Sequence, residues 1–115
     1  MTRKGLNLLS GPGNDLVSAT DLTAAGAHMI LFTTGRGTPF GAPAPTVKIS
    51  TNTPLFEKKG NWIDFNAGTV AQGEDLDAAG ERLLDYVLRV ASGEPTKSEA
   101  RGAREIAIFK DGVTL

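Results

Sequence analysis

The sequence predicts an α/β domain: a layered, Rossmann-like fold with a mostly parallel sheet flanked by helices. Three observations predict it. Short β-rich runs alternate with helical segments, the order that builds parallel sheets through crossovers. Met29-Ile30-Leu31-Phe32 is a continuous apolar run, the pattern of a strand covered on both faces. Residues from about Asp75 to Ala91 carry an apolar stripe of helical period. The 115 residues suit one domain, 1–115, that closes a core without a disulfide or metal staple.

The elements follow in order. Leu6-Asn7-Leu8-Leu9 reads as a short strand, and Ser10 to Asp15 as a turn. Ser18-Ala19-Thr20-Asp21 has capping-box spacing and predicts a helix start, with Gly26 as its stop. After the strand at 29–32, the segment 33–45 holds three Gly and three Pro and reads as a loop. Thr46 to Thr51 alternates and is β-rich, so it reads as a strand. Asn52-Thr53-Pro54 predicts the cap of a short helix, with Pro54 at its first position. Trp62-Ile63-Asp64-Phe65 reads as a strand ended by Asn66-Ala67-Gly68.

In the long helix, Leu76, Leu83, Val87 and Val90 form the stripe, broadened by Leu84, Leu88 and Ala91. Glu74, Asp75 and Asp77 suit its N-terminal dipole, and Asp85 and Arg89 form an i,i+4 pair. Gly93 and Pro95 stop it. Lys97 to Gly102 adds a helical turn, and Ile106 to Phe109 reads as a last strand.

Composition narrows the function. There is no cysteine, which excludes a disulfide scaffold, thiolate metal sites and a cysteine nucleophile. His28 is the one histidine, read as a cap or packing residue, so a typical zinc site is not expected. A net charge of −1 argues against nucleic acid as a partner. No apolar run reaches the roughly 20 residues that span a bilayer, so no membrane role and a cytoplasmic location are expected. Residues 1–60 carry six Lys/Arg against three acids, +3; residues 61–115 carry six against ten, −4.

The chemistry-bearing candidates cluster around a charge desert. Between Asp21 and Lys48 the one formal charge is Arg36, set between Gly35 and Gly37 and beside Thr33, Thr34 and Thr38. Flanking glycines allow close backbone approach, and a guanidinium matches a carboxylate. The loop follows a strand, where open α/β sheets bind ligands. The alternative is an Arg36 paired with an acid elsewhere in the protein. Gly35, Gly37 and Gly41 are spaced Gly-x-Gly-x-x-x-Gly, which is not a dinucleotide fingerprint.

The turn at Ser10 to Asp15, containing Asn14, offers either amides for an anion or a plain cap. Lys48 is either a buried lysine with a lowered pKa, able to act as a base, or a solvent-facing lysine on an alternating strand. Asp64 and Asn66 share a strand face. They either orient a ligand or hard metal, or cap the strand end.

Pro12-Gly13-Asn14-Asp15, Phe32-Thr33-Thr34-Gly35-Arg36-Gly37-Thr38-Pro39-Phe40-Gly41, Pro45-Thr46-Val47-Lys48-Ile49, Asp64-Phe65-Asn66-Ala67-Gly68 and Val90-Ala91-Ser92-Gly93 occur in that order. Together they resemble the C-terminal region of the altronate and galactarate dehydratase family, and sulfolactate sulfo-lyase large subunits are related. Family members are several times longer.

The resemblance implies the C-terminal catalytic domain of a metal-assisted hydro-lyase. Such an enzyme converts a sugar acid to a 2-keto-3-deoxy acid, with ferrous iron (Fe2+) or another divalent metal as cofactor. The metal ligands are unassigned, and some would lie outside this chain. This fragment is expected to be inactive alone. Under this reading Arg36, Thr34, Thr38, Asn14 and Asn66 bind substrate, and Lys48 and Asp64 are catalytic. The implied partners are a sugar-acid substrate, the remaining domains of the same enzyme and, in a homo-oligomer, further copies. The competing reading is a non-catalytic module that binds small acids or serves assembly.

Overall fold

The computed structural model describes residues 3–108. A three-stranded parallel sheet lies at its centre, in the order β1 (Ile30–Thr34), β2 (Thr46–Ser50), β3 (Phe65–Asn66). Helices surround it: α1 (Asp15–Ala24), α2 (Thr53–Lys58), α3 (Leu76–Ala91) and α4 (Lys97–Ala100), with a 3-10 turn at Val70–Gln72. The predicted layered α/β class is the one observed.

Local chemistry sets most helix starts. Asn52, Asp75 and Thr96 each accept a backbone N–H of their own first turn, and Thr96 with Glu99 completes a capping box. The first helix departs from expectation. It begins at Asp15, capped by Asn14, whose Oδ1 accepts from the Val17 amide at 3.3 Å. Ser18 lies inside the helix, where its hydroxyl donates to the Pro12 carbonyl. Pro54 sits second in α2, after Thr53.

Three expected strands change. Leu6–Leu9 forms no strand and pairs with no described strand, and Leu6 and Leu8 stand almost wholly in solvent. Residues 106–108 form no strand, and Phe109 lies outside the described residues. The strand expected from Trp62 is reduced to Phe65–Asn66, because the chain is still turning out of α2 through Trp62 and Ile63, whose amides both bond the Lys59 carbonyl.

The burial of the other two strands is the reverse of what their patterns predict. Alternating β2 is buried at all five positions, being flanked by strands on both sides and covered on both faces. Continuous β1 is covered on one face only. It lies at the sheet edge, and Leu31 and Thr33 are exposed.

One face of the sheet packs Ile30 and Phe32 against Ala19, Phe40, Ala42 and Ala44. The Gly- and Pro-rich segment is therefore no surface loop. It inserts Phe40, edge-on to Phe32 with centroids 5.1 Å apart, and delivers three residues to the core. Gly41 permits this: a Cβ there would lie 2.3 Å from the Ala103 carbonyl oxygen. The other face buries Val47, Ile49 and Phe65 under Val90, Leu83 and Tyr86 of α3. A sheet this narrow leaves part of the predicted stripe of α3 uncovered, so Leu76, Leu84 and Leu88 are exposed.

Candidate functional site

The strands are parallel, so their carboxyl ends share one edge, and the loops after β1, β2 and β3 converge there. The turn Gly35-Arg36-Gly37 follows β1 and is pinned at three backbone atoms. The Asn52 side-chain amide donates to the Gly35 carbonyl at 3.1 Å. Lys59 Nζ donates to the Arg36 carbonyl at 3.1 Å. The Gly37 amide donates to Thr34 Oγ1 at 2.8 Å. Gly37 has a φ of +80°, open to glycine and strained for other residues.

While the backbone of this turn is fixed, the Arg36 side chain is exposed and makes no ion pair among the described residues. The alternative of an arginine locked on an internal acid is not what the structure holds. Asn52 and Lys59 were not anticipated as site residues. Asn52 shows in sequence as a cap, and nothing in sequence connects Lys59 to Arg36.

Asn66 joins the same edge. Its amide donates to Thr53 Oγ1 at 3.1 Å and its Oδ1 accepts from the Gly68 amide at 2.9 Å. Thr53 in turn donates to Gln72 at 3.1 Å. Gly68 is required by contact: a Cβ would fall 2.3 Å from the Thr53 nitrogen. Thr34 and Arg36 thus belong to one hydrogen-bonded turn, and Asn66 to a second group at the same edge, the two meeting through the chain at Asn52-Thr53.

Asn14 and Thr38 form a second group. They line a cleft of about 500 Å³ with Asp15, Phe40 and Glu105. Thr38 Oγ1 donates to Asp15 at 3.3 Å, which ties the loop to the start of α1.

Lys48 stands apart from both groups. Its side chain is 0% exposed, and its Nζ has no hydrogen-bond partner. It sits 5.3 Å from the centre of the Phe40 ring, so the ring face is the closest thing it has to a partner. Burial lowers its pKa to about 8, against an opposing pull from Asp64; Arg101 lowers it further and Glu105 raises it. The solvent-facing alternative is therefore set aside. Phe40 covers this amine and also lines the Asn14 and Thr38 cleft.

Asp64 is held by three donors. Oδ2 accepts from the Lys48 amide at 2.8 Å. Oδ1 accepts from the Lys97 amide at 2.8 Å and from the Tyr86 hydroxyl at 3.1 Å. One carboxylate thus ties β2, α3 and α4 together. Burial, reinforced by Asp64, raises the Tyr86 pKa. Asp64 and Asn66 line a cleft of about 680 Å³ whose cations are already paired: Arg82 grips Glu74 with two bonds of 2.8 Å, and Arg89 lies 3.6 Å from Asp85. Among the described residues no three His, Cys, Asp or Glu side chains gather where a metal could be held. No helix among them is long and apolar enough to cross a membrane.

Comparison with known proteins adds the context. The model of the family described as D-galactarate/altronate dehydratase, C-terminal, matches residues 1–114. Altronate dehydratase of Escherichia coli (strain K12) is 52% identical over 111 residues, which cover 96% of this chain and 22% of that protein. Altronate dehydratase of Bacillus subtilis (strain 168) is 53% identical over 113 residues, covering 97% and 23%. Galactarate dehydratase (L-threo-forming) of Escherichia coli is 39% identical over 112 residues, covering 94% and 21%. The chain spans about a fifth of the length of these relatives.

Proposed function

The chain belongs to the D-galactarate/altronate dehydratase C-terminal family, and on that premise we propose that it supplies a substrate-carboxylate contact to a sugar-acid hydro-lyase. Dehydration of such an acid removes the proton beside a carboxylate and the neighbouring hydroxyl, together one water. The enol left behind becomes a 2-keto-3-deoxy acid. Charge builds on the carboxylate as the proton leaves, so a fixed positive group there favours the reaction.

One observation carries the reading. A turn pinned at Gly35, Arg36 and Gly37 presents an unpaired guanidinium at the carboxyl edge of a parallel sheet. The planar fork matches a carboxylate, and a pinned backbone has little ordering left to lose on binding. Along the same carboxyl edge, Thr34, Thr53 and Asn66 provide the hydroxyl and amide chemistry that suits a polyhydroxylated acid.

The other candidates take different parts. Lys48 acts through its field from beneath Phe40. Asp64, with three donors already on it, positions β2 and α4. Asn14 and Thr38 bind substrate only if it extends into their cleft. A divalent ion such as Fe2+ would supply Lewis acidity at the substrate oxygens. The described residues bring no ligand set together for it, so its ligands would come from other parts of the enzyme.

The test is a chimera in which these residues replace the matching region of a full-length dehydratase. Arg36→Lys keeps charge and loses the fork. A fall in kcat/KM on altronate or galactarate of roughly 10- to 100-fold is expected, equivalent to losing about 1.4–2.8 kcal/mol of transition-state stabilisation. Unchanged turnover and unchanged KM would remove Arg36 from the site.

A further inference from the structure

The face of the sheet that carries α3 is only partly covered. β1 turns the N–H and C=O groups of Ile30, Phe32 and Thr34 toward β2, as the bonds from the Ile30 amide to Pro45 and from the Thr51 amide to Thr34 require. Leu31 and Thr33 therefore turn their backbone groups to the open edge, where no strand pairs with them among the described residues. The edge has no charge, proline or bulge of the kind that blocks strand addition.

The same two residues point their side chains to the α3 face, in register with Val47 and Ile49. Leu31 is 51% exposed there.

The helix continues this opening. Arg82, Asp85, Tyr86 and Arg89 line a cleft together with Phe65 and Asn66, so that flank of α3 faces β3. At 3.6 residues per turn, Gly80, Leu84, Val87 and Ala91 occupy the opposite flank, on the β1 side. Asp77, seven residues before Leu84, borders that flank on its outer side. Leu84 is 59% exposed. A Cβ built on Gly80 would meet nothing within 4 Å. A glycine inside a helix is unfavourable, and no contact among the described residues explains it here.

The cause lies in the connection from β1 to β2. In a layered α/β fold that crossover is normally a helix that covers the sheet. Here it is the irregular segment 35–45, which packs on the other face. The result is a partly uncovered flank, with Leu31 and Thr33 on the strand and Gly80 and Leu84 on the helix, beside a strand edge that no described residue pairs.

We propose that this flank and edge form the docking surface for the rest of the dehydratase polypeptide, which adds a strand to β1 and covers Leu31 and Leu84. The occupant follows from two observations. The open N–H and C=O groups ask for a strand, and the exposed Leu31 and Leu84 beside it ask for the covering layer that the β1–β2 crossover does not provide. The relatives carry about four-fifths of their length outside the matched region, which is ample to supply such a unit. The inference rests on family membership and not on Arg36.

The test compares the 115-residue chain alone with the chimera described above. Hydrogen exchange reads the Leu31 and Thr33 amides, and hydroxyl-radical labelling reads the Leu31 and Leu84 side chains. Both are expected to be fast in the chain alone and slowed at least roughly tenfold in the chimera. Leu84→Lys is expected to leave the Tm of the chain alone unchanged and to restore fast exchange at Leu31 in the chimera.

Equal exchange and labelling in both settings would overturn the proposal. Protection in the chain alone that grows with its concentration would overturn it in favour of a second copy as the occupant. Should the β2 amides of the chimera exchange freely, showing it unfolded, the whole Bacillus subtilis relative replaces it and its aligned segments are read in the same way. Neither readout depends on turnover, so loss of docking and loss of the carboxylate contact are separate results.

Discussion

Replacing Lys48 by Met should stabilise the protein near neutral pH. The amine is buried without a hydrogen bond, and a charge in that position costs folding free energy. Its pKa falls from 10.5 to about 8. At 1.36 kcal/mol per pH unit, that gap sets a cost of at most about 3.4 kcal/mol on keeping the folded lysine charged. Methionine keeps most of the alkyl volume beneath Phe40, so repacking should return little of the gain. The expected stabilisation near pH 7 is about 2–3 kcal/mol, or roughly 10 °C in Tm for a domain of this size.

The pH dependence identifies the cause. Below about pH 8 the lysine is protonated in both folded and unfolded chains, and the full cost is present. Between about 8 and 10.5 the unfolded chain holds the proton and the folded one has released it, so the natural protein gains stability as pH rises. By about pH 11 both chains have released most of the proton, so nearly all of the advantage of Lys48→Met should be gone, a fall of up to about 3 kcal/mol. Urea titrations of both proteins across this range read the difference directly, and groups common to both cancel. A Lys48→Met protein that is less stable near pH 7, or a difference that stays flat with pH, would refute the burial argument.

Other substitutions test other contacts. Asp64→Asn leaves a carboxamide facing three donors, and should cost about 2–4 kcal/mol in chemical denaturation; a loss under about 0.5 kcal/mol would show the carboxylate is not the tie it looks to be. Gly68→Ala drives a methyl against the Thr53 nitrogen, where backbone has to yield, so a loss of about 1–3 kcal/mol is expected by the same assay. Gly80→Ala is the contrast: with open space around it, the chain alone should gain about 0.8–1 kcal/mol from helix propensity. Thr96→Ala removes a capping box and should lower stability by about 1 kcal/mol.

What the sequence discloses depends on how far away the deciding contact lies. Asn52, Asp75 and Thr96 act on amides within their own first turn, so the starts of three helices are legible from spacing alone. Asn14 shows the limit. It and Ser18 are comparable caps, and the capping box begun by Ser18 drew the helix start inward, although the chain turns at Gly13-Asn14. Arg36 stands out because a charge desert is a property of the sequence itself. Its supports do not, since Asn52 and Lys59 meet the turn only after β1 and β2 have paired. Lys48 is the same problem in burial: alternation describes a strand with one wet face, and that face is closed by distant segments, Phe40 folded back from an apparent loop among them.

β1 differs from these. Its composition is that of a strand buried on both faces, and one face is open. The mismatch is not a failure of local propensity, because the strand forms where its apolar run predicts. Leu31 on the strand, with Leu84 and a Gly80 whose Cβ position is open on the flank of the helix nearer β1, is a set of residues suited to an interior. No described residue of the chain supplies the covering layer. A sequence selected within a polypeptide about five times longer would carry such a pattern, since its hydrophobic period records burial in the whole molecule and not in the part at hand.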